Sequence, residues 1–203
     1  MKDLAVIVAD KNMSFALRGL LKHQAKSLGI REIEFEIEPH PGHDGGVRST
    51  GPATLARFHR EFQHGIIMLD WEGCGTELAM PGLLEADLDA RLHTTWGERA
   101  RSIVVAPEID AWMWGNDSLL KEILGWDRDQ PIRGWLRSRG FEFDDRGKPA
   151  RPKEALGALM IALKRPRSSS IYESITARIG LRRCTDPAFG RLRATLRAWF
   201  PAG

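Results

Sequence analysis

Cysteine is nearly absent. Cys74 and Cys184 are the only two in 203 residues, too few and too far apart to frame a zinc site or a disulfide scaffold. Long apolar runs are missing too, and none approaches the roughly 18 residues of a membrane helix. The opening "MKDLAVIVADKN" has a short apolar run that ends in charge, without a small-residue cleavage site. It reads as something other than a signal peptide, and a cytoplasmic location is expected. There is no internal repeat and no low-complexity tract. At 42% hydrophobic, the composition argues against disorder and for a real core. The length suits one α/β domain, or such a domain with a helical appendage.

Net charge is small, +3, but unevenly placed. Residues 1–127 hold 13 Lys/Arg against 20 Asp/Glu, and residues 128–203 hold 17 against 7, which together give the 30 and 27 of the whole chain. An acidic first part and a basic second part fit a nucleic-acid or acidic-protein partner. They equally fit two halves that attract each other.

Hydrophobic periodicity predicts the elements. "LAVIVA", 4–9, is a continuous, β-branched run, as in a strand covered on both faces. Residues 12–28 carry leucines at helical spacing and stop at Gly29. "IREIEFEIE", 30–38, alternates apolar and charged residues and predicts a half-exposed edge strand. "PHPGHDGGVRSTGP", 39–52, is a loop by composition, and 53–63 suits a helix. Strands are predicted at 65–70 and 101–107, with a helix at 82–95 between them. The expected fold is α/β, an open, mostly parallel four-stranded sheet flanked by helices over 1–115. Strands cease after about residue 108. A basic helical part follows over 116–203, with helices near 117–125, 131–139, 152–164, 170–179 and 187–199. Residues 138–152 read as a loop.

Function in such sheets sits at the carboxyl ends of the strands. Asp10 lies past the first strand, Asp70 and Glu72 at the end of the third, and Glu108, with Asp110 nearby, past the fourth. Neighbouring strands would bring four or five carboxylates to one edge. Unpaired acids held together repel one another, and a divalent cation removes that cost. Oxygen-only ligands favour Mg²⁺ or Mn²⁺. Gly73 and Gly75 would leave room for backbone or a phosphate. Any one of these acids also suits a solvated strand end or a helix cap, so the arrangement on three strands carries the metal reading.

"VIVADKNMSFALRGLL", "IIMLDWEGCGTE" and "IVVAPEIDAWMWG", in that order, resemble the TOPRIM-like fold. They are more closely similar to a bacterial DUF4276-type branch, some of whose members occur in phage-defence islands. A small component of the methylation-associated defence system is among the proteins the chain resembles. The resemblance spans 4–115. It implies an acid after strand one and an acid pair after strand three that hold Mg²⁺ for phosphodiester chemistry. Asp10 matches the first acid, Asp70 and Glu72 the pair, and Glu108 an acid of the DUF4276-type branch. The chain departs from the family in two places. Asp10 replaces the usual Glu and its glycine-containing loop, and the pair is Asp-x-Glu instead of Asp-x-Asp. Swaps of one methylene bear on the strict geometry of Mg²⁺. They leave two readings, an active site or a degenerate one on a binding or scaffold subunit.

An active site would be a Mg²⁺-dependent nuclease. Asp70 and Glu72 would be its ligands, and Asp10 a ligand or a general acid/base. Arg182, Arg183, Arg191, Arg193 and Arg197 would hold a DNA or RNA backbone, or simply form a solvated helix face. A third reading is a nucleic-acid-binding module without metal. Two further motifs are weaker. His40, His43 and Asp44 have the spacing of a transition-metal site but no distant partner cluster, although His43 or Asp44 would border the carboxylate edge. Gly45, Gly46 and Ser49 would cradle a phosphate but lack P-loop spacing. The tryptophans suit core positions, with Trp112 and Trp114 placed to wall the site. A phospho-receiver is set aside, because Asp10 stands without a second acid and no fifth strand is predicted.

Overall fold

A computed structural model of the chain describes residues 1–180 and 184–202. The elements are β1 (Lys2–Val8), α1 (Lys11–His23), α2 (Ala25–Leu28), β2 (Phe35–Pro39), α3 (His43–Ala56), β3 (Phe62–Asp70), α4 (Pro81–Trp96) and β4 (Ala100–Val105). A 3₁₀ segment, Ile109–Gly115, leads into α5 (Asp117–Leu124), α6 (Ile132–Arg137), α7 (Pro152–Ala162), α8 (Ser170–Thr176) and α9 (Pro187–Trp199). The sheet is parallel throughout, in the order β2-β1-β3-β4. Val6 pairs with both Ile37 and Ile66, and Leu69 with Val104.

The two central strands are apolar because both faces are covered, and Leu4 through Val8 and Ile66 through Leu69 are all buried. β2 alternates and lies at the edge, as its sequence predicts. It begins at Phe35, later than the pattern suggests. The Arg31 guanidinium and the Glu34 amide both bind Asp3, which holds 31–34 beside β1 before the ladder starts.

The largest correction concerns 39–52, which composition assigns to a loop. From His43 it is α3, despite Gly45, Gly46, Gly51 and Pro52. Packing overrides propensity here, because Val47, Gly51, Pro52 and Leu55 are buried against the sheet. Pro52 has no N–H to donate one turn back to the Arg48 carbonyl. Arg91 of α4 supplies the donor, with Nη1 2.7 Å from that oxygen and Nη2 2.5 Å from the Ser49 oxygen. The helix expected over 53–63 is therefore only the end of α3, and β3 starts three residues early, at Phe62.

The C-terminal helices share one apolar cluster with the sheet. α8 packs on α1 at Gly19, where an added Cβ would overlap Thr176 Oγ1 and the Glu173 carbonyl. α9 packs on β4 and α2. Among the described residues, no helix is long and apolar enough to cross a membrane.

Candidate functional site

The strand order places the ends of β1, β3 and β4 side by side, and the predicted acids meet there. Asp10 follows β1 in extended conformation and caps α1, its Oδ1 accepting the Met13 N–H at 2.9 Å. The capping role and the site role thus fall on one residue. Asp70 ends β3 and is buried. Its Oδ1 accepts the Ile109 N–H at 2.8 Å, which ties β3 to the turn after β4. Asp44, in the first turn of α3, accepts the Asp70 N–H through Oδ1 at 2.7 Å. His43, just before it, takes a left-handed φ of 51°.

Glu108 and Asp110 are buried where the chain leaves β4. Glu108 meets the start of α7, accepting the Lys153 N–H at 3.1 Å, with the Lys153 Nζ 3.7 Å from its other oxygen. The chain's one tyrosine, Tyr172 of α8, donates its hydroxyl to Asp110 at 2.6 Å.

The electrostatics fit crowded, poorly compensated acids. Burial, then the charges of Asp44, Asp110 and Asp10, push the Asp70 carboxyl well above the usual carboxylate range. Burial also raises Asp44 and Asp110. Burial and then the Asp110 charge bring Glu108 to about 7. Burial disfavours the Lys153 ammonium, yet the charges of Glu108, Asp110, Asp70 and Asp10 outweigh it and raise its pKa.

Glu72 is exposed, and its charge reaches the edge of the cluster at Glu108. The consecutive amides of Trp71 and Glu72 donate to the last residue of β4 and to the turn after it, at the Val105 and Pro107 oxygens. Strand alternation stops there, and the pair separates into a buried Asp70 and a rim Glu72. Gly73 and Gly75 have φ of 86° and 67°. A Cβ on Gly73 would stand 3.8 Å from Asp44 Oδ2, an ordinary contact. Left-handed backbone, more than space for a ligand, accounts for glycine here.

His40 is occupied within its own loop. Its Nδ1 accepts the Gly42 N–H and its Nε2 meets Thr50 Oγ1, both at 3.0 Å. Ser49 lies on α3 and returns its hydroxyl to the Gly45 oxygen, so Gly45, Gly46 and Ser49 belong to a helix instead of a phosphate-binding loop. Trp112 and Trp114 are core residues. They border a separate cavity with Arg133, Arg146 and Lys148. Arg182 and Arg183 lie outside the described residues. Arg191 pairs with Glu85, and Arg197 donates from Nε to the Leu28 oxygen at 2.6 Å. Arg193 is half-buried. Among the described residues, the cation that reaches the acids is Lys153, which no local spacing in the sequence marks, and the same holds for Tyr172.

The donors fit a hard divalent cation in kind, being carboxylate oxygens throughout. Asp10 and Asp70 each have one oxygen fixed by a backbone N–H, which sets their orientation. In arrangement, no group of three or more His, Cys, Asp or Glu among the described residues already stands as a metal cage. Compared with protein-family models, curated proteins and solved structures, the chain matches none.

Proposed function

We propose that the carboxyl edge is a Mg²⁺ or Mn²⁺ site for phosphoryl transfer on nucleic acid, in a component of a prokaryotic defence system. The observation that carries the chemistry is the convergence of Asp10, Asp44, Asp70, Glu108 and Asp110, with Lys153 as their counter-charge among the described residues. Asp10, Asp44 and Asp70 are the first ligands, with Asp110 beside them. A bound cation would supply charge neutralisation at a scissile phosphate and a more acidic water. The chain's own residues hold the ligands in place. Ile109 and Met13 fix two of them through backbone N–H groups, and Tyr172 fixes Asp110. Glu72 stands at the rim, where a substrate or a second ion would lie. The defence setting rests on the TOPRIM-like resemblance alone.

A second reading is a silent subunit that binds a partner protein. It is favoured by the internal engagement of two acids, Glu108 with Lys153 and Asp110 with Tyr172. Incubation of labelled single-stranded DNA and RNA with the protein in Mg²⁺ or Mn²⁺ separates the two. Cleavage lost in Asp10→Asn and Asp70→Asn supports the enzyme. Intact substrate at millimolar metal supports the silent subunit.

A further inference from the structure

A cavity of about 160 Å³ opens beside the carboxylates and shares Lys153 and Tyr172 with them. Its polar lining is otherwise Asn12, Arg167, Ser168 and Ser169, and Leu156 and Met160 form a wall. The lining is therefore cationic and hydroxylic, opposite in character to the acids beside it.

Arg167 is built into this wall. Its guanidinium lies over Gly157 in the middle of α7, where an added Cβ would overlap Nη2 and would have the guanidinium as its nearest neighbour. Glycine inside a helix is less favourable than alanine, and here it makes the seat. Neighbouring arginines are engaged, Arg165 with the Ile123 oxygen and Arg128 with the Ala162 oxygen. Among the described residues, no carboxylate or carbonyl takes a hydrogen bond from Arg167. Ser169 Oγ donates to Asn12 Oδ1 at 2.8 Å, which ties the turn before α8 to the start of α1.

The geometry points to a phosphate subsite, in which Arg167, Lys153 and the Ser168 hydroxyl receive the phosphate of a phosphate monoester. A planar guanidinium, an ammonium and a hydroxyl suit a tetrahedral dianion. The volume is close to that of a roughly 150 Å³ cavity that admits benzene. It holds one phosphate and its ester carbon, and no whole nucleotide. The rest of a strand has a path outward. A groove lined by Lys11, Arg18, Ser168 and Ser169 adjoins the cavity across the same two serines. The natural occupant is thus a nucleic-acid strand end bearing a terminal phosphate. This identity rests on the phosphoryl-transfer reading, whereas anion binding itself does not.

Calorimetry in EDTA tests the subsite without metal. The probes are inorganic phosphate and one single-stranded decamer with a terminal 5′-phosphate, a terminal 3′-phosphate or none. The wild type is expected to prefer a phosphorylated strand by about tenfold, within the range of a charged hydrogen bond. Arg167→Gln removes that preference. Gly157→Ala, which displaces the guanidinium while keeping its charge, is expected to weaken the preference, and its thermal melt reports folding. Binding of inorganic phosphate with no advantage to a phosphorylated strand keeps the subsite and assigns it to free phosphate. No preference and no phosphate binding in the wild type, or variants that match it, would overturn the proposal. Loss of metal binding with phosphate binding retained would sink only the metal site, so the two ideas fail separately.

Discussion

Two ends of one sheet hold the same residue in opposite states. Asp3 lies at the start of β1 and Asp70 at the end of β3, and each is 8% exposed. Asp3 receives a two-pronged contact from Arg31, at 2.7 and 3.1 Å, and the Glu34 N–H at 2.8 Å. The Arg31 hydrogen bond outweighs burial and holds its carboxyl below the usual range. Asp70 has one backbone donor and three acids for neighbours, and its carboxyl is pushed well up. Equal exposure hides unequal depth, since burial is the largest influence on Asp70 and only the second on Asp3, so depth and partner together set the opposite shifts. The amino end is compensated for stability. The carboxyl end is left electrostatically unfinished, as expected where binding, more than folding, sets the residues.

The contrast breaks most directly through paired substitutions. Asp3→Ala strips Arg31 and the Glu34 amide of their acceptor and is expected to cost about 1–3 kcal/mol. In a chain of this size that lowers Tm by roughly 2–12 °C. Asp70→Asn is expected to do the reverse in metal-free protein near pH 7.5, raising Tm by a few degrees. The amide keeps an acceptor for Ile109 and removes a buried charge. A scanning calorimeter reads both, and shifts of the same sign would undo the comparison.

pH sharpens it. Glu108 titrates near 7 in the folded chain, against a usual 4.5. The folded state therefore holds the extra proton between these values, and stability falls as pH rises from about 4.5 to about 7. Asp3 has the opposite sign. Its contribution is present above the usual carboxylate range and is lost as pH falls through its lowered pKa. Chemical denaturation of metal-free protein is expected to show about 1–3 kcal/mol less stability at pH 8 than at pH 5. Glu108→Gln is expected to flatten that slope. A Glu72→Ala substitution tests the rim and is expected to move stability by less than about 0.5 kcal/mol. A larger gain would place Glu72 inside the cluster, where removing an acid relieves repulsion.

Much of this was legible in the residues. Unbroken β-branched runs mark β1 and β3, and alternation marks β2, because a parallel sheet dictates burial residue by residue. Asp10 and Asp70 were legible as the first polar residues after such runs. α3 was not, since its three glycines and Pro52 contradict helix propensity and only packing and Arg91 support them. Lys153 and Tyr172 lie 45 and 62 residues from the acids they engage, and no local pattern encodes such a contact. The basic stripe of α9 suits a phosphate surface or a solvated helix face equally well by sequence. Yet Arg191 and Arg197 answer to Glu85 and Leu28, far away in sequence.

Titration of Mg²⁺ and then Mn²⁺ into the metal-free protein at pH 7.5, beside Asp70→Asn, bears most directly on the carboxyl edge. Saturable binding by the wild type that the more stable variant lacks is the expected result. No heat and no thermal stabilisation of the wild type at millimolar metal would contradict the assignment of this edge as a cation site.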